Sequence, residues 1–166
     1  MKDVTITVNG TKYYLTVNDN ELLLDTLRTR LGITSVKAAC WRGECGLCTV
    51  LLNGKPVKSC MVLTVEADGS EITTAEGLYH DPRARKLMDS FVKHGAMQCG
   101  FCTPAFVVAS HSLLLRNPMA DDREISESLK GIVCRCGTYF QIRAAVKDAA
   151  KSYVNGLKDQ DPVQSF

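Results

Sequence analysis

The chain has 166 residues, 45% of them hydrophobic and 23% charged, with a net charge of +2. Divided at Glu76, it holds 8 basic against 9 acidic residues before the division and 12 against 9 after it, with no Lys/Arg block, which excludes a nucleic-acid footprint. The longest apolar runs, Ala105 to Ala109 and Leu113 to Leu115, fall far short of the roughly 20 residues that cross a bilayer, and Met1-Lys2-Asp3 leads into a strand pattern without a secretory signal, so a cytoplasmic chain with no transmembrane segment is expected.

Val4, Ile6 and Val8 alternate with polar residues, Asn9-Gly10 supplies a type I′ turn, and Tyr13, Leu15 and Val17 alternate on the return, which predicts a β-hairpin. Asn18 to Glu21 offers a helix cap with an acidic residue three positions on. Leu23, Leu24, Leu27 and Leu31 follow at helical spacing, and Gly32 closes that helix. Beyond a cysteine-bearing loop, Thr49 to Leu52, Asn53-Gly54 and Lys55 to Val62 predict a second hairpin with Cys60 on its return strand, and Glu71 to Thr74 a last short strand. Residues 1–76 therefore read as an α+β domain.

From residue 77 the alternation stops and the punctuation becomes helical. Asp81-Pro82 starts a segment that Gly95 ends, and Thr103-Pro104 starts one that stops near Asn117-Pro118, each pairing a capping residue with a proline. A third helix is expected over 121–131 and a fourth over 139–155, where Ile142, Ala145, Val146 and Ala149 repeat at helical steps. Residues 77–156 thus read as a four-helix domain, and 157–166 as an aperiodic tail expected to be extended or disordered.

The eight cysteines fall into two sets of four. Cys40, Cys45, Cys48 and the distant Cys60 follow the C-x4-C-x2-C…C spacing of plant-type [2Fe–2S] ligation. A reducing compartment favours metal ligation over disulfides, and the gap between Cys40 and Cys45 does not match a zinc knuckle. Gly43 and Gly46, inside the loop, let the backbone approach a cluster and turn its N–H groups toward the sulfurs. Cys99, Cys102, Cys134 and Cys136 supply four more thiolates. Their C-x2-C and C-x-C spacing fits a second cluster or a zinc ribbon or treble clef, and both stay open on spacing alone. Two clusters in one chain imply an electron relay.

With both sets in view, Cys40-x-x-Gly43-x-Cys45-Gly46-x-Cys48, Gln98-Cys99-Gly100-Phe101-Cys102-Thr103-Pro104 and Cys134-Arg135-Cys136-Gly137-Thr138-Tyr139 make the chain resemble the small iron–sulfur subunits of the molybdenum hydroxylases, the xanthine oxidase and aldehyde oxidoreductase family. The resemblance runs from about residue 3 to 155. It implies a β-grasp ferredoxin domain with the outer [2Fe–2S] cluster and a four-helix domain with the inner one. It also implies a large molybdopterin-binding partner subunit, a medium FAD-binding subunit, and a hetero-oligomer built as a dimer of heterotrimers. In such a subunit Gln98 and Cys136 would lie against the pterin, and electrons would pass from inner to outer cluster and on to FAD or another acceptor.

Two positions depart from the commoner family pattern: Gly137-Thr138-Tyr139 stands in place of Thr-Gly-Tyr, and Ala39-Cys40-Trp41-Arg42 in place of a glycine-richer lead-in. The first departure resembles members acting on aromatic heterocycles or aldehydes. Two other functions compete, an independent two-cluster ferredoxin and a zinc-stabilised interaction module. His80, His94 and His111 are expected to cap or pack, Trp41 and Arg42 to cover the outer site or meet a partner, and Met61, Met88 and Met97 to fill the core.

Overall fold

The computed structural model describes residues 1–156; the expected tail lies outside them. Strands β1 (Lys2–Val8) and β2 (Thr11–Val17) pair antiparallel with Val4 opposite Leu15 and Ile6 opposite Tyr13. Asn9 and Gly10 have φ of 51° and 81°, the positive pair that a type I′ turn requires. A second Asn-Gly turn at residues 53 and 54 joins β3 (Thr49–Leu52) to β4 (Lys55–Lys58). The last strand, β5 (Glu71–Thr73), enters the middle of the sheet, parallel to β1 and antiparallel to β3, giving the order β2-β1-β5-β3-β4. Ile6, Val8, Val50 and Ile72 pack from this sheet against Leu23, Leu24 and Leu27 of the first helix. This is the expected β-grasp arrangement.

Two local expectations on this half fail. The first helix, α1, begins at Leu23 with Leu22 at its cap and no capping side chain. Glu21 instead accepts from Thr26 Oγ1 at 2.6 Å and from Arg30 at 2.6 Å, side chains of the same helix, which engage its carboxylate in place of the free N–H groups of a cap. After one α turn, Leu23–Asp25, the helix widens to π geometry over Thr26–Arg30; there the Thr29 hydroxyl takes the Asp25 carbonyl at 2.6 Å and competes with the regular ladder. The return strand of the second hairpin ends at Lys58, so Cys60 lies on a 3-10 turn, Ser59–Met61. Ser59, continuing the register that sets Lys58 opposite Thr49, gives both its N–H and its hydroxyl to the Cys48 carbonyl, at 3.2 and 2.8 Å, and the turn then closes with the Val62 N–H on the Ser59 carbonyl.

The second half begins with one short helix that periodicity does not reveal, α2 (Ala75–Leu78), followed by the four expected helices α3 (Pro82–Lys93), α4 (Thr103–Arg116), α5 (Asp122–Leu129) and α6 (Tyr139–Gly156). Asp81 caps α3 as anticipated, accepting from the N–H groups of Arg83 and Ala84. Asp121 and Glu124 close a reciprocal capping box on α5. At α4 the cap is Cys102 rather than Thr103, which displaces Pro104 to the second helical position. Helix α4 is the axis of the bundle. Its residues from Ala105 to Leu114 are buried without a break, because β3, α2, α3, α5 and α6 surround it. The helical core also takes Leu47 and Leu51 from the first half, so the two cores meet along β3 and the loop before it.

Candidate metal centres

Four thiols gather beside the sheet. Arg28 reaches from α1 to the carbonyls of Thr34 and Val36, at 3.2 and 2.6 Å, and holds the lead-in to Cys40. Ser59 then ties Cys60 to Cys48 as described. Within the set, the thiols contact in pairs, Cys40 with Cys45 and Cys48 with Cys60. Backbone N–H groups of Cys45, Arg42 and Glu44 point at the Cys40 sulfur and pull that thiol down to about 6. Burial, with Cys48 beside it, pushes the Cys60 thiol up to about 11.

The second set repeats the pattern at one end of the bundle. Cys99 contacts Cys136, and Cys102 contacts Cys134. Burial and the neighbouring Cys134 push Cys102 up to about 12. At Cys134 burial acts in the same sense, but the Thr138 hydroxyl, 3.2 Å from its sulfur, and nearby N–H groups outweigh it and bring the thiol down to about 7. Tyr139 adds a hydroxyl 2.7 Å from the Cys134 amide, which donates to it.

The donor sets fit [2Fe–2S] groups. Such a group takes four thiolates in two pairs, and each set presents two pairs with backbone donors aimed at sulfur. Both glycines named from the outer loop have work there. Gly43 has φ +75° and lies against Met61, and Gly46 has φ +69° with its Cα so close to the next segment that a side chain would sit 2.1 Å from the Gly131 carbonyl oxygen. That approach joins the sets: the Val133 N–H, next to Cys134, donates to the Cys45 carbonyl at 2.9 Å.

Gln98 and Cys99 are exposed and Cys136 is half-buried. Met97, Phe101, Val133 and Tyr139, each 39 to 51% exposed, rim the same end. Met97 and Met61 are therefore surface residues, not core filler. The histidines follow expectation where their partners are visible: His94 meets Asp148 at 3.2 Å, and buried His111 meets the Tyr153 hydroxyl at 2.7 Å. Trp41 covers the outer loop half-exposed, in a left-handed backbone conformation with its indole on Asp25. Ser59, Lys58 and Gly131 escaped the sequence reading; only their closeness in space to the cysteine loops marks them.

A chain with two thiol sets, one on a β-grasp sheet and one on a helical bundle, is a two-cluster electron carrier. Residues 6–78 match the family described as 2Fe-2S iron-sulfur cluster binding domain, and residues 74–147 the [2Fe-2S] binding domain family. The chain is 41% identical to the nicotinate dehydrogenase small FeS subunit of Eubacterium barkeri, over 92% of this chain and 97% of that one. It is 40% identical to the nicotine 6-hydroxylase small subunit of Paenarthrobacter nicotinovorans, over 89% and 88%. Its fold superposes on quinoline 2-oxidoreductase from Pseudomonas putida 86 with a TM-score of 0.86 and 38% identity, covering 93% of this chain and 97% of that one. The chain belongs to the small iron–sulfur subunits of the molybdenum hydroxylase family, and its role is electron transfer in an oxidoreductase whose substrate is oxidised in a partner subunit. The independent ferredoxin and the zinc module give way to that reading.

Proposed function

We propose that Cys99, Cys102, Cys134 and Cys136 hold an inner [2Fe–2S] cluster facing a molybdopterin-bearing partner, and that Cys40, Cys45, Cys48 and Cys60 hold an outer one facing the acceptor. Each bound cluster supplies one-electron redox chemistry; the chain's residues hold the thiolates, space the two sites and present them to the partners. The observation that carries this reading is the paired arrangement of each thiol set, joined across the molecule by the Cys45 carbonyl and the Val133 amide. Gln98 and Cys136, on the end rimmed by Met97 and Phe101, are the contacts we assign to the pterin. Trp41, Arg42 and Met61 cover the opposite approach, toward FAD in a medium subunit or another acceptor.

On this reading the domains divide at residues 76 and 77, within α2, and the assembly is a cytoplasmic dimer of heterotrimers. No helix of the described residues is long and apolar enough to cross a membrane. The relatives are named for nicotinate and nicotine, and the matched structure for quinoline. With the Gly137-Thr138-Tyr139 variant of the motif, this favours an aromatic nitrogen heterocycle or an aldehyde as the partner's substrate. Purification of the native complex with metal and flavin analysis tests the proposal. About four irons per copy of this chain are expected, with molybdenum in a co-purifying larger chain; two irons and one zinc would overturn the inner site.

A further inference from the structure

Lys58 ends β4 at the seam between the two thiol sets. Its Nζ lies 2.5 Å from the carbonyl oxygen of Gly43, inside the outer cysteine loop. On its other side, Nζ is the first atom that a side chain on Gly131 would meet, at 3.8 Å. The residue is half-buried, unlike Lys55 at the exposed start of the same strand. A strand end needs no half-buried ammonium.

The Gly43 carbonyl belongs to the same loop whose Cys45 N–H donates to the Cys40 sulfur at 3.5 Å. The Lys58 ammonium is therefore hydrogen-bonded into the loop that carries Cys40 and Cys45. A charged donor makes a stronger bond than a neutral one, which holds that positive charge against the loop.

We propose that Lys58 sets the reduction potential of the outer [2Fe–2S] site by holding its ammonium charge against the Gly43 carbonyl, inside the loop that carries Cys40 and Cys45. The proposal rests on the outer cysteines being cluster ligands. Iron–sulfur potentials follow net charge and hydrogen bonds to sulfur. The charge acts here, because reduction adds an electron that a nearby positive charge stabilises. Lys58 thus raises the outer potential relative to the inner one and favours electron flow outward. It is a positioning residue, touching the cluster only through the loop.

Lys58→Gln tests this in the native complex, by redox titration followed through the two low-temperature paramagnetic resonance signals. The outer site's one-electron equilibrium constant should fall three- to tenfold, about 28 to 59 mV at 59 mV per decade, with the inner signal unmoved. Lys58→Met should shift it in the same direction and carries the test if the glutamine variant loses iron. Lys58→Arg should restore most of the potential, and Lys55→Gln, which removes the same charge at an exposed position, should shift neither site. Unchanged outer potential in an iron-replete neutral variant overturns the proposal, as does an equal shift from Lys55→Gln. A wild-type complex with a single cluster signal instead overturns the ligand assignment beneath it.

Discussion

Gly46→Ala probes the seam between the two cluster sites directly. At φ +69° an alanine costs roughly 1 to 2 kcal/mol in backbone strain. Its Cβ would also stand 2.1 Å from the Gly131 oxygen and 3.0 Å from Ile132 Cα, backbone atoms that cannot rotate away. Displacing a packed segment adds about 1 to 3 kcal/mol, for a total near 2 to 5 kcal/mol. Gly10→Ala is the control, because its φ is +81° but nothing lies within 4 Å of the new methyl. The two variants should differ by the packing part alone, a gap of roughly 2 to 12 °C in Tm at about 2 to 4 °C per kcal/mol. Thermal melts by circular dichroism measure it. The displaced segment carries Val133, so Gly46→Ala should also weaken the magnetic interaction between the two sites, which Gly10→Ala should leave alone. Equal melting temperatures for the two variants, with unaltered interaction, would refute the close approach.

Cys45→Ser should remove the outer paramagnetic signal and leave the inner one, since the ligand sets sit on separate elements; loss of both with the helices still folded would contradict that independence. Gln98→Ala should leave about four irons per chain while lowering molybdenum occupancy or slowing cluster reduction by substrate, at a cost of about 1 to 3 kcal/mol for an unpaired pterin group. Full molybdenum content with an unchanged reduction rate would remove Gln98 from the interface. Burial of His111, opposed by Asp81 and aided by Arg83, holds its pKa below the ordinary 6.5. The unfolded chain then binds a proton that the folded one refuses, so this stability is present above about pH 6.5 and is lost as pH falls below it. Glu21, Glu76 and Asp81 have lowered pKa values despite burial, through their hydrogen bonds, and their contribution is lost only at lower pH, below their unfolded values of 4.5 and 3.8. Denaturant midpoints across pH should therefore fall in two stages, and His111→Gln should flatten the first alone; a single fall near pH 4 would contradict the assignment.

Local chemistry was enough to read most elements from the chain itself. Asn9-Gly10 and Asn53-Gly54 make their turns because both residues accept positive φ, and Asp81 and Asp121 start their helices because a carboxylate satisfies nearby N–H groups; these are forces between residues a few positions apart. The cysteine spacing likewise singled out Cys40, Cys45, Cys48 and Cys60 as one set, and the fold brings them together beside the sheet. What lay beyond reach was every choice that depends on which segments pack together. Cys60 leaves the expected strand for a 3-10 turn once Ser59 has bonded the Cys48 carbonyl across the hairpin. The pairing of Cys99 with Cys136 and Cys102 with Cys134, the contact of Gly46 with Gly131, and the reach of Lys58 to Gly43 arise only when sheet and bundle close on each other. Spacing names ligands because a short loop limits where its thiols go; tertiary packing decides which of them meet, and what charge lies beside them.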